Sequence, residues 1–172
     1  MEIILNVILS VLTGLISSYL FLKYYLKRKR PVISISKYIS KVNINGESNY
    51  FFKFVNNTDV EIFDVHIELT FYKPFGDFAG RNLQGKDIQL KDNFISYIPF
   101  AKDNDLHNLH AMRIRTTEDL EQNWEDESSF IRLTIIAKHS LSGFNKVFVH
   151  DYLTKDCITE KKFLSGDELN VN

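Results

Sequence analysis

From Ile3 to Leu22 the chain carries no charged side chain. Twenty helical residues at about 1.5 Å each reach about 30 Å, the thickness of the hydrocarbon core of a bilayer. A helix apolar on nearly every side needs lipid or a large protein core around it, and only about 140 residues follow the basic cluster behind it, too few for that core. A cleaved signal sequence is the rival reading. Its basic start, shorter apolar run and small-x-small cleavage site are not found here. The sequence therefore predicts a transmembrane helix over residues 1–22.

The flanks give it a direction. Lys23, Lys27, Arg28, Lys29 and Arg30 follow the span, whereas Glu2 precedes it. Basic flanks stay in the cytoplasm, so the expected topology is a single pass through the inner (plasma) membrane, N-terminus outside and C-terminal domain cytosolic. Residues 23–31 form a basic juxtamembrane linker. Its cations fix topology and meet anionic lipid headgroups at about 1 kcal/mol each, and Tyr19, Tyr24 and Tyr25 are placed for the interface. The lone Cys157 agrees with a reducing compartment, and there the sequon Asn56-Asn57-Thr58 carries no weight. Five of the 21 basic and one of the 22 acidic residues lie in 1–30, which leaves residues 31–172 mildly acidic. That balance argues against a nucleic-acid duplex as partner.

The span is not uniformly apolar. Asn6, Ser10, Thr13, Gly14, Ser17 and Ser18 interrupt it, and Ser10, Gly14 and Ser18 fall at i, i+4 and i+8. A small-x3-small ladder permits close helix approach, and an Asn in lipid is costly unless it bonds across to another helix. This stripe is the candidate surface for homo-oligomerisation.

After Pro31 the periodicity changes to that of strands. Val32 to Ile44 is rich in β-branched residues, Asn45-Gly46 is a hairpin signal, and Tyr50 to Val55 forms the second strand. Phe63, Val65, Ile67, Leu69 and Phe71 alternate with polar residues, as on a half-buried strand. Pro74 to Gly85 reads as a long loop. Short strands are expected at Ile88–Leu90, Phe94–Phe100 and Met112–Arg115. The acidic Thr116–Ser129 reads as a short helix or exposed loop with Thr116 and Asp119 as a capping pair, or as a docking surface for a basic partner. Phe130–Lys138 and Lys146–Tyr152 make a hairpin about Ser140–Gly143, and Cys157-Ile158 with Phe163-Leu164 suggest a last strand pair. The predicted class is all-β: a cytosolic immunoglobulin-like β-sandwich over residues 32–166, with a jelly roll or small barrel as alternative, and a tail over 167–172.

Chemistry-bearing motifs are scarce. No Gly-x-Ser-x-Gly turn or phosphate loop occurs. Cys157 reads as a small core residue, and His139 and His150 as exposed strand residues. Asp103, Asp105, His107 and His110 place two carboxylates and two imidazoles within eight residues, but no Cys pair completes a tetrahedral set, so no metal site is expected. No cofactor and no enzymatic activity are expected. The loop Pro74–Arg81 is the candidate recognition element: Phe75 and Phe78 either tuck beneath it or offer an apolar tip, with Arg81 as anchor for an anionic group. The expected function is a membrane-anchored module that binds a cytosolic ligand or protein at the inner membrane face and self-associates through its helix. The alternative is a membrane effector of the antiviral-defence type, in which signal-driven oligomers perturb or perforate the bilayer.

Overall fold

The structure, a computed structural model, describes residues 2–28, 30–76, 82–102, 106–124 and 126–172. It is mostly β, with an N-terminal apolar helix. Helix α1 (Glu2–Arg28) continues past the uncharged run and carries Lys and Arg into its last turn, where cations complement the helix dipole. Pro31 cannot continue it, having no amide donor and disfavouring helical geometry in the residue before it.

Among the described residues ten strands follow: β1 (Ile33–Ile35), β2 (Ile39–Ile44), β3 (Glu47–Asn56), β4 (Ile62–Phe75), β5 (Asn82–Asp87), β6 (Phe94–Ile98), β7 (Ala111–Thr116), β8 (Phe130–His139), β9 (Asn145–Tyr152) and β10 (Ile158–Thr159). The one-turn helix α2 (Leu120–Asn123) lies between β7 and β8. In the first sheet β3 is central. β7 runs antiparallel along one side, β1 and β2 take successive stretches of the other, and β10 adds parallel to β2. In the second, β4 is central. β8 lines one side, β5 and β6 share the other, and β9 pairs outside β8.

One apolar core lies between the sheets. Ile39, Tyr50, Phe52, Phe54 and Ile114 from the first meet Ile67, Leu69, Ile131, Leu133 and Ile135 from the second. Burying each such side chain contributes about 1.5–3 kcal/mol. Phe52 packs edge-on against Tyr152 at 5.5 Å, and the Tyr152 hydroxyl donates to the Ser36 carbonyl at 2.9 Å, so one residue of β9 joins both layers.

Several local expectations are met and several are revised. Asn45 and Gly46 adopt positive φ (55° and 89°), as a two-residue hairpin turn between β2 and β3 requires. The alternation along β4 breaks at a bulge between Phe63 and His66, with Asp64 at φ 48°. The extra residue moves Ile62 into the core and leaves Phe63 on the outside. Both ends of the expected loop Pro74–Gly85 are strand instead, because β4 runs on to Phe75 and pairs with β5. Gly85 belongs to that pairing: a Cβ there would stand 3.2 Å from both Thr70 Cγ2 and Tyr72 Cε1. Ile88 and Leu90 are buried but form no strand.

The acidic segment is pinned by its two apolar residues. Asp119, not Thr116, caps α2 by accepting from the Gln122 amide at 3.1 Å, while Leu120 and Trp124 enter the core. Trp124 packs edge-on against Phe71 and donates from Nε1 to the Ser129 carbonyl at 3.0 Å. Cys157-Ile158 and Phe163-Leu164 do not pair with each other. Ile158 pairs with Ile39, and Phe163 bridges Val171.

Candidate functional site

All six residues of the predicted stripe fall on α1, and at about 100° per residue Asn6, Ser10, Thr13, Gly14, Ser17 and Ser18 occupy one arc of about 140°. The helix geometry sorts them. The Ser10 hydroxyl donates to the Asn6 carbonyl and the Thr13 hydroxyl to the Leu9 carbonyl, each at 2.8 Å. Those two groups are satisfied within their own helix. A Cβ on Gly14 would meet nothing within 4 Å, so nothing in this chain requires glycine there. The apolar side chains around the stripe are uncovered, and none of the most apolar window of the helix is buried.

At the basic end, the Arg28 guanidinium lies over the Tyr24 ring at 5.2 Å and Phe21 stacks on Tyr25. Lys23 and Arg30 are exposed. Lys29 and the side chain of Lys27 lie outside the described residues. In the candidate recognition loop, Phe75 ends β4 with 69% of its surface exposed. It does not tuck beneath the hairpin. Phe78 and Arg81 lie outside the described residues, as do Asp103 and Asp105 of the histidine-bearing loop.

The domain also contains a polar centre that the sequence reading did not single out. Lys53, in the middle of β3, is 1% exposed. Its ammonium donates to the carbonyls of Leu164, Gly166 and Glu168 at 2.6, 2.6 and 2.7 Å. Around it, Arg113 donates to the carbonyls of Phe163 and Leu164, Ser36 to that of Leu169, Ser40 to that of Lys161, and His110 pairs with Asp167. Lys162 and Asn172 exchange backbone hydrogen bonds at 3.1 and 3.0 Å, closing the segment on itself. The C-terminal segment, including the predicted tail 167–172, is thus a strap held by its backbone oxygens against the outer face of the first sheet. Burial, with the positive charge of Arg113 beside it, lowers the Lys53 pKa from its ordinary value. The signal was present in Tyr50-Phe51-Phe52-Lys53-Phe54-Val55, where a cation inside an apolar run marks a strand covered on both faces.

A second polar cluster closes the α2 end. The buried Tyr50 hydroxyl bonds Asp119 and Glu121 at 3.1 and 3.2 Å, and Lys41 pairs with Glu121. Burial and these carboxylates raise the Tyr50 pKa, so the phenol stays protonated and serves as a donor.

Among the described residues the other nucleophilic and metal-ligating groups are not brought together. Burial pushes the Cys157 thiol up to about 12, far from a reactive thiolate. His139 is buried, not exposed: its Nδ1 accepts from the amides of Leu141 and Ser142 and braces the β8–β9 turn. His150 is half-buried, edge-on to Tyr152 at 4.6 Å. His107 is exposed while His110 is buried against Asp167. Among the described residues no group of three or more His, Cys, Asp or Glu is placed to hold a metal ion. No protein-family model matches the chain, and no curated protein sequence matches it.

Proposed function

We propose that this chain is a single-pass membrane-anchored protein whose β-domain binds a ligand or protein partner at the cytosolic face of the membrane, and whose helix self-associates. The observation that carries the reading is the state of α1: long and apolar enough to cross a bilayer, and left uncovered by its own domain. Uncovered apolar area of that extent is stable only against lipid or another helix. The basic collar at residues 23–30 supports a cytosolic domain.

We assign the domain to the immunoglobulin-like class of β-sandwich. With β1/β2 as strand A, β3 as B, β4 as C, β7 as E, β8 as F and β9 as G, the sheets read A-B-E and C-F-G, and β5 and β6 flank C. That order supports an immunoglobulin-like arrangement over a jelly roll or barrel.

Alkaline extraction and thiol labelling test the anchor and its direction. The protein should stay with the membrane pellet at high pH, and Leu12→Lys should release it, because a mid-span charge costs about 2.5–3.5 kcal/mol on insertion. Leu141→Cys, on the exposed β8–β9 turn, should react with a membrane-impermeant maleimide only after cells are opened. Labelling in intact cells would reverse the topology.

The effector reading is favoured by one observation, a glycine at the centre of the stripe that its own chain does not need. Dye leakage from expressing cells that is abolished by Gly14→Leu separates it from a passive anchor.

A further inference from the structure

Strand β9 ends the second sheet, and among the described residues no backbone group bonds its far side. Which groups face that side follows from the hairpin. His139 donates its amide to the Phe144 carbonyl at 2.9 Å, so bonded pairs recur at Ala137/Lys146, Ile135/Phe148, Leu133/His150 and Ile131/Tyr152 in the β8–β9 register. The amides and carbonyls of Asn145, Val147, Val149 and Asp151 therefore point outward from the sheet edge. Val147 and Val149 are also 55% and 51% exposed on the outer face. The edge carries no proline and no bulge that would turn it away from a partner strand.

The order of residues along this edge says what fits it. Read from either end, Asn145-Lys146-Val147-Phe148-Val149-His150-Asp151 runs polar, basic, Val, Phe, Val, basic, polar. Any antiparallel copy of the strand sets i opposite j and j opposite i about a two-fold axis, and with the axis at Phe148 this brings apolar residues opposite apolar ones at the centre of the edge and Lys146 opposite His150 beyond them. We propose that two copies of this protein pair through β9, antiparallel about a two-fold axis at Phe148, to form one continuous sheet across both domains. In that register Val147 of each copy lies opposite Val149 of the other as a hydrogen-bonded pair, Asn145 opposite Asp151, and Phe148 opposite Phe148. Shifting the axis to Val149 sets Val147 against Asp151 in both copies and leaves one Val–Val pair, Val149 with Val149, where the axis at Phe148 gives two. A single strand pair is a small interface and gives weak association in solution. Confinement of two anchored copies to one membrane supplies the effective concentration that makes it persist. The β9 pairing itself does not depend on contact between the helices.

Disulfide trapping in membranes tests the pairing on the full-length chain with Cys157→Ser as background. Copies carrying Val147→Cys and Val149→Cys, separately tagged and co-expressed, should link on copper–phenanthroline oxidation, and neither variant should link with itself. Val149→Pro in the Val147→Cys partner's opposite strand cannot be combined with the cysteine, so Asp151→Pro serves instead: it deletes an outward amide and should cut the linked fraction at least tenfold while the variant stays in the membrane. Self-linking of Val149→Cys alone, or no link in any combination, overturns the proposal. Persistence of a helix cross-link through Gly14→Cys in the same membranes would show that self-association by the span stands without it.

Discussion

Replacing Lys53 by Met keeps an unbranched side chain of similar length but removes the ammonium from its three carbonyl partners. Each charge-assisted hydrogen bond is worth about 1.5–3 kcal/mol, so the three bonds at 2.6–2.7 Å amount to about 4.5–9 kcal/mol before costs. Holding a buried cation costs several kcal/mol in return, and the neighbouring Arg113 adds repulsion. The strap also has an escape: residues 160–172 can lift off the sheet and hydrate their carbonyls, so the loss is limited to the strap's own docking energy. The expected net loss is about 2–4 kcal/mol, confined to the strap. Hydrogen exchange on the full chain reads this directly. Amides of residues 162–172 should exchange about 30–700-fold faster in Lys53→Met, at 1.4 kcal/mol per factor of ten, while β4 and β8 keep their protection. Unchanged exchange in the strap would refute the idea that the ammonium pins it. Equal acceleration in β4 and β8 would show that Lys53 supports the whole core.

Other expected outcomes are as direct. Asn6→Leu combined with Gly14→Leu should raise helix hydropathy yet lower cross-linked dimer through the span; an unchanged dimer would leave the stripe facing lipid. Trp124→Ala should cost about 3–5 kcal/mol in denaturant unfolding, because it leaves a cavity against Phe71 and frees the acidic segment. Asp119→Ala should cost about 0.5–2 kcal/mol through the lost α2 cap, with a further penalty from the Tyr50 hydroxyl it accepts from. Burial lowers the His150 pKa from its ordinary value of 6.5, so the unfolded chain binds the proton first as pH falls. Stability is then complete above about 6.5 and declines below it, and His150→Gln should flatten that part of the pH–stability curve.

Legibility differed by the range of the interactions involved. The long apolar helix, the Asn45-Gly46 turn and the β8–β9 hairpin rest on local pattern and could be read directly from it. The β4 bulge could not, because a one-residue insertion is a property of two paired strands: Phe63 looks like the first core position until β6 and β8 fix the register. The Thr116 cap failed for a related reason. Thr116 is committed to β7 and bonds the Gln89 carbonyl at 2.7 Å, which leaves Asp119 to start α2. For Lys53 the surrounding apolar run signals a covered strand, but what covers it is not legible. Its partners lie more than 110 residues away, on carbonyls that any sequence would supply.

The strap also narrows where a partner can bind. It covers the outer face of the first sheet, burying Lys53, Val55 and Phe163 there, so that face is occupied by the chain itself. Among the described residues no such strap covers the outer face of the second sheet, where Phe63, Phe94, Tyr97, Val147 and Val149 remain 37–55% exposed. The junction with α1 restricts the geometry further. Four residues, 29–32, separate Arg28 from Ile33, and five extended steps reach at most about 18 Å. Val32 is itself fixed to the β3–β4 turn, donating to the Thr58 hydroxyl at 2.9 Å and accepting from the Asn57 amide at 2.8 Å. If α1 lies in lipid as proposed, this short tether holds β1 and the strap-covered sheet near the headgroups. In that proposed arrangement the exposed apolar side chains open to a partner lie on the second sheet, together with the outward backbone groups of β9.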